Sequence, residues 1–260
     1  MPNTQIDYSE LSTSANYELV AEKYRPIFKK IAEGTLQRET DIILPFEPIQ
    51  WLKQVGFGAV RVPVKYGGDG LSLPQLFQLL TELAKADSNV IQALRGHFAF
   101  VEDRLIAHRD QNQQVWFNRF VQGDLVGNAW TEVGSVKIGD VLTRVTRNAQ
   151  GQLEVNGSKY YSTGSIFADW IDLYAYDDVN QRAVIAAVNR HDQGVSVLDD
   201  WDGFGQKTTG SGTLTLNNVP VKEPHLIAFE DRFKYQTAYY QQFHLATLTG
   251  IAQSAVESFS

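Results

Sequence analysis

Residues 127–135 read GNAWTEVGS, and their reading decides the fold. The stretch has the pattern of a strand running into a turn. A strand alternates its faces, so Asn128, Trp130 and Glu132 point one way and Ala129 and Thr131 the other. An amide, an indole and a carboxylate on one sheet face have little use in an apolar core. They suit a face against which something polar and flat lies.

Outward from this stretch the hydrophobic period changes twice. From about 125 to 222 it is two. "DVLTRVTRNAQGQLEVNGSKYY", "DWIDLYAY", "AVIAAVNR", "GVSVLDD" and "GTLTLNNVPV" read as short strands separated by turn signals such as "NAQG" and "NG". Strands this short and regular predict a barrel or a sandwich. Before 125 the period is helical. Helices are predicted over 17–33, where Pro26 is an irregularity, and over 46–55, 73–87, 89–108 and 111–122. Leu76, Phe77, Leu80, Leu83 and Ala84 form one apolar stripe. Ile91, Leu94, Phe98, Val101 and Leu105 form another. Pro63 and three glycines mark "VPVKYGGDG", 62–70, as a loop. From about 235 the period is helical again, with Leu245, Leu248, Ile251, Ala252, Ala255, Val256 and Phe259 as a broad apolar face. Such a face has to be covered. A longer parent protein is the favoured source of the cover, and another subunit the alternative.

The composition narrows the function. The chain has 260 residues, 43% hydrophobic and 20% charged, with net charge −7 and no cysteine. That is globular and speaks against a nucleic-acid partner. It removes disulfides, thiolate nucleophiles and cysteine-held metals. No membrane span and no signal peptide is read, so a soluble cytoplasmic protein is expected. His108, His191, His225 and His244 lack metal-ligand spacing, and no metal site is expected.

Four motifs in order resemble the acyl-CoA dehydrogenase family. "PVKYGGDG" at 63–70 resembles its Pro-x-x-Tyr-Gly-Gly-x-Gly loop. "WTEVGS" at 130–135 resembles its Thr-Glu-Pro-x-x-Gly-Ser strand end. "NGSKYYSTGSIFADW" at 156–170 and "FGQKTTGSGTLTLNNVPV" at 204–221 resemble its two later β segments. The resemblance implies an α+β fold in three parts. These are an N-terminal all-helical domain over 1–123, a small flavin-contacting β-barrel domain over 124–232, and the first helix of a truncated C-terminal helical bundle over 233–260. It also implies a flavin beside the two β motifs. Trp130 and the Thr131 hydroxyl would meet its pyrimidine edge, Tyr161 and Ser162 would flank the ring, and Thr163 would lie near N5. Ser211 would stand near the cofactor phosphate, across a subunit interface.

Departures from the dehydrogenase pattern point to one branch of the family. Thr-Glu-Pro is here Thr131-Glu132-Val133, and the acyl-CoA-contacting segment is rebuilt as "VGSVKIGD". "RGHFAF" at 95–100, "GNAW" at 127–130 and "STGS" at 162–165 resemble the two-component flavin monooxygenases related to dibenzothiophene monooxygenase. That resemblance implies reduced FMN from a separate flavin reductase, O2, a small organosulfur substrate and a homotetramer or homodimer. It implies His97, Asn128 and Thr163 as catalytic residues around the flavin C4a–N5 edge. Each is a neutral group able to hydrogen-bond there. The alternatives are an FAD-dependent acyl-CoA dehydrogenase and a chain that keeps the fold without catalysis. Read from spacing alone, His97 is more often a satisfied core histidine. Asn128 is equally a strand-end residue, and Thr131 and Thr163 equally ordinary strand residues.

Overall fold

The computed structural model describes residues 15–133 and 140–259. Its first half is helical: α1 (Tyr17–Glu33), α2 (Thr35–Asp41), α3 (Phe46–Gln54), α4 (Leu73–Ala86), α5 (Ser88–Ala93), α6 (Arg95–Ala107) and α7 (Gln114–Val121). Helix α4 starts with a full capping box. Ser72 accepts from the Gln75 amide, and the Gln75 side chain accepts from the Ser72 amide. Its predicted stripe is buried except for Phe77, which is half-buried. Among the described residues no helix is long and apolar enough to cross a membrane.

The helix predicted over 89–108 is two helices, broken at Leu94. Asp87 caps the first, its Oδ1 accepting from the Asn89 and Val90 amides at 2.9 and 3.2 Å. The break lies where the backbone of Gly164 comes against the Ala93 carbonyl, and a Cβ at Gly164 would collide with it. Gly164 also has φ of +76°, which favours glycine. The second helix, α6, is buried on every side from Gly96 to Leu105.

Among the described residues eight strands follow: β1 (Val126–Ala129), β2 (Arg144–Arg147), β3 (Leu153–Lys159), β4 (Trp170–Asp177), β5 (Arg182–Asn189), β6 (Val195–Val197), β7 (Leu214–Pro220) and β8 (Leu226–Ala228). They form one mixed sheet in the order β6-β7-β3-β2-β4-β5-β8, with β1 beside β4. The sequence pattern predicts a closed barrel or sandwich. The described hydrogen-bonded path instead ends in two three-residue strands, β6 and β8, and does not close. Strand β4 is the organiser. One edge pairs with β5 along its length, and the other takes β1 at Trp170–Leu173 and β2 at Tyr176–Asp177, both parallel. The inner face is packed with Val145, Val155, Ile171, Leu173, Val184 and Leu216. The opposite face, with Val126 and Ile185, packs on Phe100, Trp116, Phe117 and Phe120.

Helix α8 (Gln236–Glu257) returns to the helical half. It buries Tyr239, Phe243, Ala246, Thr247 and Gly250. A Cβ at Gly250 would stand 2.6 Å from the Thr81 carbonyl of α4, so the two backbones approach closely. The row predicted as its apolar face lies elsewhere: Leu245, Leu248, Ile251, Val256 and Phe259 are exposed. Packing on α4 selects small residues and aromatics, not the longest aliphatic stripe.

Two buried polar ties join the halves. Arg232, just before α8, donates from Nη1 to Asp172 of β4 at 2.8 Å, and its Nε lies 3.8 Å from Asp103 of α6. Burial opposes the charge, but the two carboxylates outweigh it and raise the guanidinium pKa. The second tie is His97. Its Nε2 lies 2.8 Å from the Gly58 carbonyl and its Nδ1 accepts from the Val126 amide at 3.2 Å. Those two bonds fix a neutral ring with the proton on Nε2. Burial pushes its pKa from 6.5 down to about 4, against the pull of the Gly58 carbonyl.

Two outcomes follow. Arg232→Met leaves the buried Asp172 carboxylate without its cation and should cost about 3–5 kcal/mol in urea unfolding; a loss under about 1 kcal/mol would show that the pair carries little. A histidine whose folded pKa lies below its unfolded value resists protonation. Stability should therefore be whole above about pH 6.5 and fall as pH drops toward 4. His225, lowered to about 4 by burial and by Arg119 and Lys222, acts in the same window. His97→Gln should make this pH dependence shallower. An unchanged slope would assign it to His225.

Candidate functional site

The three motifs "RGHF", "GNAW" and "STGS" meet at one place. Gly96 of α6 lies against Asn128 of β1, and a Cβ there would stand 2.8 Å from the Asn128 Cβ. The Asn128 amide donates to the Thr163 carbonyl at 3.3 Å, and the Ser165 hydroxyl to the Asn128 carbonyl at 3.4 Å. The absence of a side chain at Gly127 lets Ser165 sit directly against β1. The glycines of these motifs thus serve close backbone approach.

Within this junction the side chains differ in what they have free. His97 is fully buried, and both ring nitrogens are taken by backbone groups. It holds β1 beside α6 and has no free nitrogen for a ligand. Asn128 is different: its Oδ1 is buried and has no hydrogen-bond partner. Thr163 bonds Ser211 at 2.8 Å, Ser211 bonds Thr209 at 2.7 Å, and Thr209 donates to the Gln206 carbonyl at 3.0 Å. A hydroxyl has one proton. With Thr209 spent on Gln206, Ser211 donates to Thr209 or Thr163. Thr163 then donates to Ser211 or, at 3.4 Å, to the Tyr161 carbonyl. When Ser211 donates to Thr209 the Thr163 proton is held on Ser211 and its oxygen is left as an acceptor; when Ser211 donates to Thr163, that proton has only the long contact to the Tyr161 carbonyl.

The remaining predicted residues lie on the same two β motifs. The Thr131 carbonyl accepts from the Tyr160 amide at 2.9 Å, so the two β motifs run side by side. The Thr131 side chain is exposed. Tyr161 is 50% exposed, has φ of +55° and meets Trp201 edge-on at 5.6 Å. Ser162 is buried and donates from both its amide and its hydroxyl to the Gly212 carbonyl, at 3.1 and 2.6 Å. Its hydroxyl proton is committed to structure. Trp130 is held by its indole N–H on Asp172 at 2.9 Å, under the Arg232 guanidinium at 5.0 Å. Its ring faces Phe229 and Tyr240.

The strand alternation drawn from "GNAWTEVGS" holds only to Ala129, where β1 ends. Glu132 folds away from Asn128 and Trp130. It accepts from the Leu142 amide, the Thr143 amide and hydroxyl, and Lys159 at 2.6 Å. Burial works against its charge, but these donors outweigh it and hold its pKa at about 2. Of "VGSVKIGD", residues 134–139 lie outside the described residues. Asp172, Arg232 and Lys159 are partners that the sequence reading passes over. A carboxylate amid the apolar residues of "DWIDLYAY" was the available signal.

The comparisons agree with this architecture. Residues 14–124 match the family model of the acyl-CoA dehydrogenase N-terminal domain. The probable FMNH2-dependent monooxygenase SfnC of Pseudomonas putida is 25% identical over 240 residues, covering 90% of this chain and 59% of that protein. A dibenzothiophene monooxygenase of Rhodococcus erythropolis is 27% identical over 189 residues, covering 70% of this chain and 45% of that protein. The chain thus spans about half of the length of these relatives. The crystal structure of FMN-bound TdsC from Paenibacillus sp. A11-2 superposes with a TM-score of 0.82 at 24% identity, over 92% of this chain and 63% of that one. Residues 14–124 accordingly resemble an acyl-CoA dehydrogenase N-terminal domain, and the chain has the acyl-CoA dehydrogenase-like fold.

Proposed function

We propose that the chain is the flavin-binding part of a monooxygenase that uses reduced FMN and O2, with an organosulfur compound as substrate. The observation that carries this reading is the pair of acceptors at the motif junction. Asn128 Oδ1 is buried and unpaired, and the Thr163 oxygen is an acceptor when its proton is held on Ser211. Both call for a ligand that donates. A reduced flavin carries an N–H at N5, whereas an oxidised flavin has only an acceptor there. The residues therefore fit the reduced ring better. Bound reduced FMN supplies the electrons that activate O2 for transfer of one oxygen atom to the substrate.

The chain's own residues have separate parts in this reading. Asn128 and Thr163 orient the ring edge, and Ser211 and Thr209 fix the direction of the Thr163 hydroxyl. His97 positions Asn128 by holding β1 and moves no proton itself. Trp130 and Tyr161 flank the flat surface, the first fixed by Asp172. Thr131 gives an exposed hydroxyl at the pyrimidine edge. The relatives' names support the choice of FMNH2, of O2 and of organosulfur chemistry, and with them a separate flavin reductase that delivers the cofactor. A second reading, an FAD-dependent acyl-CoA dehydrogenase, draws on the family model over 14–124.

Anaerobic titration separates the two. The chain should bind reduced FMN well ahead of oxidised FAD or oxidised FMN, and equal or better binding of an oxidised flavin would sink the oxygenase reading. Asn128→Ala should weaken reduced FMN roughly 5- to 30-fold without loss of folding stability, because its Oδ1 has no protein partner to lose. Thr163→Val should narrow the preference for reduced over oxidised FMN, read as a lower midpoint potential of the bound flavin, and Thr163→Ser should restore it. An unmoved potential in the valine variant would remove Thr163 from the site.

A further inference from the structure

Arg95 opens α6, one residue before the glycine that lies against Asn128. Its charge is unmatched. Arg38, Arg61, Arg104 and Arg232 each contact a carboxylate: Asp87 at 2.8 Å, Glu102 at 2.6 Å, Asp103, and Asp172 at 2.8 Å. Arg95 pairs with no carboxylate among the described residues. Its hydrogen-bond partner there is a neutral acceptor, His244 Nε2 of α8, at 3.3 Å from Nη1. Its Nε is buried without any partner. The guanidinium lies over the Tyr240 ring, 5.3 Å from the centroid. Burial accordingly pulls its pKa down, with only a weak opposing pull from Tyr240.

The neighbours leave one positive charge without a carboxylate among the described residues. Tyr240 also faces Trp130, at 6.4 Å between ring centroids. The other cation here, Arg232, is balanced by Asp172 and Asp103. Arg119 is also without a carboxylate contact among the described residues, but it lies over the Trp116 and Trp170 rings at 4.4 and 4.0 Å. Arg95 alone of these directly precedes the residue that lies against Asn128. Arg95 is half-buried, with only its Nε closed off; a guanidinium in that position is stabilised by an anion, and its planar donors match a two-oxygen group.

We propose that Arg95 binds the oxyanion of the substrate, and that this substrate is a small organosulfur acid such as an alkanesulfinate. The aromatic rings of Tyr240 and Trp130 take its organic part. A neutral aromatic thiophene would leave the guanidinium unmatched. This inference rests on the reading of Asn128 and Thr163 as the flavin edge, since that places Arg95 beside the reacting centre. The same guanidinium chemistry would also suit a cofactor phosphate, and the test separates the two sources.

The test is calorimetric titration of the full 260-residue chain, without flavin, using methanesulfinate and its neutral counterpart dimethyl sulfoxide. The chain should bind methanesulfinate more tightly than dimethyl sulfoxide. Arg95→Gln should weaken methanesulfinate roughly 10- to 100-fold and leave dimethyl sulfoxide unchanged. Arg95→Lys should retain part of the preference. Circular dichroism and a urea curve establish that the variants fold. In a parallel titration, Arg95→Gln should leave the ratio of reduced FMN to reduced riboflavin affinity as it was. Equal binding of sulfinate and sulfoxide, or an unmoved sulfinate affinity in Arg95→Gln, overturns the proposal. A fall in the FMN-to-riboflavin ratio overturns it as well and assigns Arg95 to the cofactor phosphate. Failure to bind reduced FMN would instead refute the flavin reading, while the sulfinate arms remain readable.

Discussion

The imidazole of His97 spans the Gly58 carbonyl and the Val126 amide, and the rest of the site depends on that bridge. Strand β1 has only four residues and pairs with one half of one edge of β4. Such a short strand is weakly held by its ladder. The ring ties it at its first residue to a helix buried on every side. Asn128, two residues further on, is thereby set between Gly96 and the backbone of Thr163. The bridge needs the neutral ring, with one donor and one acceptor nitrogen, and burial keeps it neutral across the physiological range. A residue of the functional motif thus acts through structure, and the free chemistry is left to its neighbours.

Charge is distributed around the junction in a consistent way. Carboxylates near it are spent on cations and amides: Asp172 on Arg232 and the Trp130 indole, Glu132 on Lys159 and the 142–143 backbone. The groups left over are two neutral acceptors and one guanidinium. Negative charge is thereby kept off the face where an electron-rich ring is expected, and the available polar groups complement such a ring and an anionic partner.

Much of this was legible in the sequence. The helical and two-residue periods located most elements, because each amphipathic element shows its buried face as a repeat. The motifs "RGHF", "GNAW" and "STGS" pointed to residues that the fold brings together. The failures have physical causes. The break at Leu94 comes from a tertiary approach by Gly164, which no local propensity records. The buried face of α8 is chosen by close packing at Gly250, so its longest aliphatic side chains stay outside. The direction of the Thr163 hydroxyl depends on Ser211 and Thr209, distant in sequence. The single-sidedness of "GNAWTEVGS" fails at Glu132, where hydrogen bonds to 142–143 and Lys159 override the strand period. Arg95 looked ordinary because an unmatched charge shows only when every possible partner has a place.

The tie at Arg232 also bears on the order in which the chain can assemble. Its two carboxylates lie 60 residues back at Asp172 and further still at Asp103, and α8 reaches back to the α4 surface at Thr81 and Ala84. During synthesis α4 is made early and waits for most of the chain before its partner helix emerges. The nascent helical half must carry an uncovered apolar face through the whole time the strands are being produced. Contacts so distant in sequence close late and slowly. The N-terminal helices are therefore the segment with most need of protection from aggregation.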